Sequence, residues 1–267
     1  MRLRTILQQL VRRTCHWYPA LYDRRNAQQA RALARARAVH DPDFHALTAM
    51  RGRATRAIDV GANMGQTIVS LAAVLPDVRV RSYEPQPETA AVAREIAERL
   101  GTADVHVAAV GEVPGHLALH VPSCRGIRFT QLASTRPIDP ERITAFLRAH
   151  GFRWARPADV VVATHEVPVV TLDDDGGPAD LIKIDVEGAD DAVLRGATRL
   201  LATQRPVLLV EDGARPVIRA PLEAIGYRAC RVRGTALEAL GAEAPLNVLF
   251  VHPDAPRGLA VPDAALP

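Results

Sequence analysis

The chain has 267 residues, of which 48% are hydrophobic and 24% are charged, and its formal net charge is +3. A globular chain of this length can bury a substantial core. No apolar run is long enough to cross a bilayer. The basic residues are spread along the chain instead of forming one strong run, which argues against a nucleic-acid partner.

Residues 1–52 are predicted to form a helical extension. Apolar residues recur on one helical face over Arg2–Trp17, and Arg24–Val39 continues as a second helix rich in alanine and arginine. Asp41 and Pro42 supply the N-cap and the first-turn proline of a third helix. We expect these helices to contact the following domain or a second subunit, with a position on a membrane surface as the alternative.

From Ala57 onward, strands and helices are predicted to alternate. The predicted strands are Ala57–Val60, Val78–Tyr83, Val105–Val110, Leu181–Asp185, Val207–Val210, Tyr227–Arg231 and Leu246–Val251. The predicted helices are Gly65–Leu75, Pro87–Leu100, Asp190–Ala202 and Pro216–Ile225. The alternation indicates a doubly wound, mostly parallel α/β sheet covered on both faces, and its last two strands fit an antiparallel edge.

The segment between the two halves, residues 115–171, breaks this rhythm. It contains a short strand at Leu117–Leu119, a loop over Gly126–Pro137, a helix over Pro140–Ala149 and an irregular stretch over Val160–Thr171. We assign residues 53–253 to one domain, in which residues 115–171 form a cover over the binding site. The proline-rich and alanine-rich tail, residues 254–267, is expected to be disordered.

The most informative motif is the turn that follows the first predicted strand. Gly61 and Gly65 lack a Cβ, so the backbone can turn sharply and come close to a ligand at the start of a helix. Glu84 stands at the end of the next strand, where a carboxylate can accept both hydroxyls of a ribose. A dinucleotide fingerprint would need glycine in place of Asn63 and Gln66, so that fingerprint is not met.

Several strand-end motifs together resemble one family. They are D-V-G-A-N-x-G from Asp59, Y-E-P from Tyr83, A-V-G from Ala109, T-L-D from Thr171 and K-I-D-V-E-G-A-D from Lys183. In this combination the chain resembles the FkbM family of methyltransferases, which depend on S-adenosylmethionine (SAM). The resemblance implies a class I methyltransferase (Rossmann-like) fold, SAM as the cofactor, and O-methylation of a hydroxyl on a small-molecule natural product or a saccharide.

The resemblance also implies a cofactor pocket at the ends of the first strands. The residues expected to bind SAM are Asp59, Gly61, Asn63, Gly65, Gln66, Thr67, Glu84 and Val110. Asp59 and the turn from Gly61 to Gly65 would surround the methionine end of SAM. Glu84 would hold the ribose.

Methyl transfer to an alcohol requires an aligned acceptor oxygen and help in losing its proton. Asp185 and Glu187, two residues apart at a strand end, are the candidate acceptor-binding or general-base groups, and His165 is the candidate base in the cover. The alternatives are a turn-forming Asp185, a helix-capping Glu187 and a surface His165. Lys183, the single lysine of the chain, should pair with an acid if it is buried, or it only braces the sheet.

A metal-dependent variant of this chemistry is a further alternative. Asp185 with Glu211 or Asp212 offers oxygen ligands of the kind that Mg²⁺ prefers. The sequence lacks a fixed metal spacing, so SAM without a metal is favoured over a Mg²⁺-dependent site.

Two other function classes stay open at this point, a nucleotide-dependent oxidoreductase and a non-catalytic SAM-binding protein. The partner we expect is a small-molecule or glycan hydroxyl acceptor, with no nucleic acid; a membrane partner is not favoured, and a homo-oligomer is left open. Three widely spaced cysteines, Cys15, Cys124 and Cys230, suit a reducing compartment, so we expect a cytoplasmic protein.

Overall fold

The computed structural model describes residues 19–186, 188–241, 245–255 and 259. The amphipathic helix predicted over Arg2–Trp17 lies outside the described residues, and so do Glu187 and most of the predicted tail. The chain divides into two compact units. The small unit comprises residues up to 29 with 116–167, and the sheet unit comprises residues 30–115 with those from 168 onward.

The described residues form strands and helices that we number in chain order. The strands are β1 (Arg56–Val60), β2 (Arg79–Tyr83), β3 (Ala103–His106), β4 (Ala109–Val110), β5 (Gly115–Cys124), β6 (Ile127–Arg128), β7 (Val160–Val170), β8 (Leu181–Ile184), β9 (Val207–Glu211), β10 (Arg228–Arg233), β11 (Ala236–Ala239) and β12 (Asn247–Val251). The α-helices are α1 (Pro19–Ala36), α2 (Gln66–Val74), α3 (Pro87–Leu100), α4 (Pro140–Ala149), α5 (Asp190–Arg195), α6 (Thr198–Gln204) and α7 (Pro216–Ala224). Shorter helical segments are Pro42–Met50, Thr130–Leu132, Pro157–Asp159 and Leu172–Gly176.

The sheet unit is built on one large sheet with the strand order β11-β10-β12-β9-β8-β1-β2-β3. Neighbouring strands from β9 to β3 run parallel, whereas β12 is antiparallel to both β9 and β10. The chain order reverses between β1 and β8, and ligands of open α/β sheets bind beyond the carboxyl ends of the strands at such a point. The predicted doubly wound fold with an antiparallel edge is confirmed.

Both faces of the large sheet are buried, because side chains alternate between two core clusters along each central strand. One face includes Ile58, Val60, Ile182, Ile184, Leu208 and Val210. The other face includes Ala57, Leu181, Val207, Leu209, Leu249 and Val251. The second cluster also contains Phe44, Leu47 and Met50 from the segment Pro42–Met50, a 3₁₀ helix, so this helix is part of the core that supports the sheet.

The small unit has its own core. It contains strands β5 and β6, which pair antiparallel, and most of β7. Phe129 and Phe152 pack edge to face with ring centroids 5.2 Å apart, and both belong to a cluster with Leu147 from α4. None of the helices that the structure describes, in either unit, is long and apolar enough to span a membrane.

The single strand predicted over Val105–Val110 is wrong, because this segment is divided between two sheets. β3 follows β2 in register as far as the pair Tyr83 and His106. Since β2 ends at Tyr83, the backbone beyond His106 has no partner in the large sheet. β4 instead pairs in parallel with Val169 and Val170.

Two further predictions need correction. Val160–Thr171 was expected to be irregular, yet β7 is a regular strand whose mostly exposed and half-buried side chains leave no clear apolar alternation in the sequence. The single helix predicted over Asp190–Ala202 is broken into α5 and α6 around Gly196. Gly196 packs directly against the carbonyl of Gly111, so a tertiary contact occupies the position of the break.

This contact predicts a stability effect at Gly196. A Cβ placed there would lie 2.0 Å from the carbonyl oxygen of Gly111, whereas a Cβ on Gly115 would meet nothing within 4 Å. We expect Gly196→Ala to lower the free energy of unfolding by about 3 kcal/mol, because backbone must move to make room. Gly115→Ala is the matched control, with an effect within about 0.5 kcal/mol. Equal urea-denaturation midpoints for the two variants would contradict the close contact.

Candidate active site

The turn after β1 is held between two neighbouring strands. The backbone N–H groups of Gly61 and Ala62 both donate to the carbonyl of Tyr83, at 3.0 Å each, and the N–H of Asp185 donates to the carbonyl of Val60 at 3.0 Å. Gly61 has a φ of 88°, and a Cβ there would lie 1.8 Å from the carbonyl oxygen of Asp185. Only glycine therefore allows the ends of β1 and β8 to approach this closely.

Gly65 closes the turn and starts α2. Its φ is also 88°, and its Cα faces the backbone of Ala93 on α3, where a Cβ would lie 3.3 Å from the Ala93 Cα. Asn63, between the two glycines, adopts a φ of 47°. Three residues of the turn thus have left-handed backbone conformations, and the sharp turn expected from its two glycines is present.

Glu84 is held by the backbone on both of its carboxyl oxygens. Oε2 accepts from the N–H of Asn63 and Oε1 accepts from the N–H of Gln86, each at 2.9 Å. The residue is only 5% exposed, and this burial raises the pKa of the carboxyl group to about 7. Each oxygen keeps a further acceptor site, so an ionised Glu84 can accept two more hydrogen bonds.

Asp59 lies completely buried beneath the turn. Ser82, its neighbour on β2, donates a hydroxyl hydrogen bond to Oδ2 at 3.2 Å, and the hydroxyl of Thr67 bonds to the same carboxyl group. Oδ1 is buried without a hydrogen-bond partner among the described residues. Burial raises the pKa of Asp59 to about 6, although the nearby Lys183 ammonium acts in the opposite direction.

Lys183 is the buried cation of this region. It pairs in register with Asp59 across β1 and β8, so the two side chains lie on the same face of the sheet. Only 6% of Lys183 is exposed, and its Nζ donates to Oδ2 of Asp185 at 2.9 Å. The structure thus supplies the acidic partner that a buried Lys183 was expected to need.

Asp185 sits between Lys183 and a second acid. Its carboxyl group is hydrogen-bonded to Glu211 at the end of β9. Burial alone would raise the pKa of Asp185, but the Lys183 ammonium and the Glu211 hydrogen bond outweigh burial, so the net pKa is lowered. Asp185 is therefore an ionised hydrogen-bond acceptor at neutral pH and a weak base.

The remaining predicted cofactor residues lie at the start of α2 and on β4. Gln66 and Thr67 form the first turn of α2, and Oε1 of Gln66 is buried without a hydrogen-bond partner in the described structure. Val110 on β4 is buried in the core cluster that includes Ile58 and Tyr83.

Two of the predicted catalytic residues lie outside the described part of the sheet unit. His165 lies half-buried on β7, in the small unit, so its role as a base stays a prediction. Glu187 lies outside the described residues. Asp212 is exposed and has a φ of 51°. In the part of the chain that the structure describes, no three or more acids, histidines or cysteines form a metal-binding group, so the alternative set of Asp185, Glu211 and Asp212 is not assembled.

The motifs and this geometry agree with a family comparison. A family model described as the methyltransferase FkbM domain matches residues 59–228. The match covers well over half of the chain, and the chain belongs to the FkbM methyltransferase family. This confirms the predicted family and SAM as the predicted cofactor. The comparison with curated proteins gave no match.

Similar solved structures include three methyltransferases. The FkbM methyltransferase of Methylobacillus flagellatus KT has 17% identity and a TM-score of 0.46, covering 74% of this chain, which spans 43% of that protein's length. A TehB-like SAM-dependent methyltransferase of Corynebacterium glutamicum has 13% identity and a TM-score of 0.46, covering 87% of this chain and 98% of its own. An O-methyltransferase of Bacillus cereus in complex with S-adenosylhomocysteine (SAH) has 15% identity and a TM-score of 0.40, and the match covers 85% of this chain and 90% of that protein.

The buried Glu84 predicts a pH effect on the stability of the free protein. Its pKa is raised from 4.5 to about 7 in the folded state, so the folded protein binds this proton more tightly than the unfolded chain. The stability that protonated Glu84 contributes is complete below pH 4.5 and is lost as the pH rises through about 7. We expect Glu84→Gln to remove this dependence, which amounts to about 3 kcal/mol at most. If the free energy of unfolding changed with pH equally in the wild type and in Glu84→Gln from pH 4.5 to 8, the raised pKa of Glu84 would be contradicted.

Proposed function

We propose that this protein transfers the methyl group of SAM to a hydroxyl of a small-molecule natural product or a saccharide. One observation carries the proposal: the strands on either side of the glycine turn end in a carboxylate with unused acceptor sites, Glu84, and an ionised carboxylate, Asp185. Glu84 follows β2 and Asp185 follows β8, on either side of the turn after β1. Cofactor and acceptor can then meet at one edge of the sheet.

The described residues fit SAM by their hydrogen-bonding capacity. Glu84 has one backbone donor on each oxygen and retains an acceptor site on each for a ribose hydroxyl. The unpartnered Oδ1 of Asp59 adds a buried negative atom below the turn, on the side expected to face the cationic methionine end. When bound, SAM supplies a methyl group on a positively charged sulfur.

The acceptor side is proposed to align the hydroxyl rather than to deprotonate it strongly. Lys183 keeps Asp185 ionised, and an ionised carboxylate accepts a hydrogen bond from the incoming alcohol at a fixed position. The same ammonium makes Asp185 less basic, so a different group must receive the proton efficiently. Asp185 therefore acts as the acceptor-orienting residue.

The acceptor, the cellular location and the other partners also belong to the proposal. We propose a hydroxylated metabolite or glycan as the partner, a cytoplasmic location and no nucleic-acid or membrane partner, and a homo-oligomer is left open. Membership of a methyltransferase family favours group transfer over a nucleotide-dependent oxidoreductase or a non-catalytic SAM-binding protein. Formation of SAH in the presence of a hydroxylated acceptor separates these classes.

The ribose role of Glu84 predicts that SAM binds more weakly in acid. Hydroxyl donors favour the ionised carboxylate, and its pKa in the free protein is about 7. Calorimetry should therefore show SAM affinity falling about tenfold from pH 8 to pH 6 in the wild-type protein. Glu84→Gln should bind more weakly at pH 8 and lose most of this pH dependence. An unchanged affinity in the folded variant would remove Glu84 from the ribose site.

The acceptor role of Asp185 predicts a separation of binding from turnover. Asp185→Asn preserves shape but removes the charge, so SAM affinity should persist while turnover falls by about 10²-fold. SAH formation is measured over a panel of hydroxylated metabolites and saccharides. Asp191→Asn, which changes a surface acid paired with Arg195, is the matched control and should keep wild-type turnover. Wild-type turnover in Asp185→Asn would leave the acceptor site elsewhere.

A further inference from the structure

A short segment before the 3₁₀ helix is fastened to the carboxyl edge of the sheet at two points. The backbone N–H of His40 donates to Oγ of Ser70 on α2 at 3.0 Å, and Nδ1 of the His40 ring lies 2.6 Å from the same oxygen. The side-chain amide of Asn247 donates to Asp41 at 2.8 Å and to Asp43 at 3.1 Å. The segment is therefore anchored at both α2 and the start of β12.

These two anchors bracket the acceptor-side carboxylates. Asn247 is the register partner of Glu211 at the end of β9. Glu211 is hydrogen-bonded to Asp185, which follows the neighbouring strand β8. The charges of Lys183 and Asp185 both act on the His40 ring. His40 thus lies close to the polar groups that the proposed acceptor would meet.

The His40 ring is anchored to helix α2 through Nδ1. This nitrogen lies 2.6 Å from Oγ of Ser70, and the ring is also hydrogen-bonded to the backbone carbonyl of Gln66, one turn earlier on the same helix. A proton on Nδ1 would let this nitrogen donate toward the helix and would leave Nε2 able to accept a proton. His40 is exposed as a whole residue, but its ring packs against Phe44 at a centroid distance of 5.0 Å and is partly removed from water by the groups around it.

The electrostatics keep this ring neutral. Removal from water lowers the pKa of His40 most, and repulsion from Lys183 lowers it further, while Asp41 and Asp185 act in the opposite direction. Because the net pKa lies below the usual 6.5, the imidazole is neutral at pH 7 and can accept a proton. Asp185, held ionised by Lys183, is the weaker base of the two.

We propose that His40 is the catalytic base of the methyl transfer, with Nε2 accepting the proton of the acceptor hydroxyl that Asp185 orients. This inference rests on the proposed function. The acceptor oxygen forms a bond to the methyl carbon while the carbon–sulfur bond breaks and its electron pair stays on sulfur. The hydroxyl proton passes to Nε2 of His40, and the imidazolium then releases it to water.

The state of the ring is tested without any acceptor. In ¹⁵N-labelled protein the His40 resonances, assigned by their loss in His40→Gln, should show protonated Nδ1, unprotonated Nε2 and a pKa below 6.5. Asp185→Asn should lower this pKa further, because it removes an attractive charge. The exposed His45, whose resonances are lost in His45→Gln, serves as the reference ring. A neutral ring with the proton on Nε2 overturns the proposal.

The catalytic consequence is tested with the acceptor found in the hydroxyl panel. Glutamine can replace hydrogen bonds of the ring but cannot accept a proton, so His40→Gln should lower kcat by about 10²-fold or more with little change in KM or in SAM affinity. His45→Gln should behave as the wild type. Wild-type kcat in His40→Gln overturns the inference while the methyltransferase function stands. If the wild-type protein binds no SAM, the proposed function fails, and the NMR result still decides whether Nε2 can act as a base.

Discussion

The site depends on the contact between Gly61 and the backbone of Asp185. The two strands that carry these residues, β1 and β8, are neighbours at the point where the strand order reverses. Because a Cβ on Gly61 would lie 1.8 Å from the Asp185 carbonyl oxygen, a larger residue would push the two strand ends apart. The contact sets the spacing between the turn after β1 and Asp185, and the proposed methyl transfer requires this spacing to be constant.

Around that contact, burial gives similar acids different properties. Glu84 and Asp59 are desolvated without an ion pair of their own, and their pKa values rise to about 7 and about 6. Asp185 is also desolvated, but it bonds directly to the Lys183 ammonium and its pKa falls. One buried lysine thus distinguishes an acid that stays ionised from acids that titrate near neutrality. A guanidinium is larger and differently shaped, which accounts for a lysine here in a chain whose other basic residues are arginine or histidine.

The sequence was informative where a local chemical requirement determines the structure. The glycines at 61 and 65 predicted the turn, the position of Glu84 predicted a carboxylate at the end of β2, and the alternating pattern predicted the sheet. Prediction from the sequence failed where contacts between residues far apart along the chain determine the structure. The division of residues 105–110 depends on where β2 ends, and the break at Gly196 depends on Gly111. His40 was missed because only the fold brings it to Ser70 and the edge near Asp185, and no motif in the sequence marks it.

The central claim is that one edge of the sheet holds the cofactor ribose on Glu84 and presents the reacting sulfur toward Asp185. A crystal structure of the protein with SAH tests it most directly. We expect both ribose hydroxyls within hydrogen-bonding distance, about 2.6–3.0 Å, of the Glu84 carboxyl oxygens, with the sulfur on the Asp185 side of the turn. SAH bound elsewhere on the sheet, or in this turn with its ribose away from Glu84, would contradict the account.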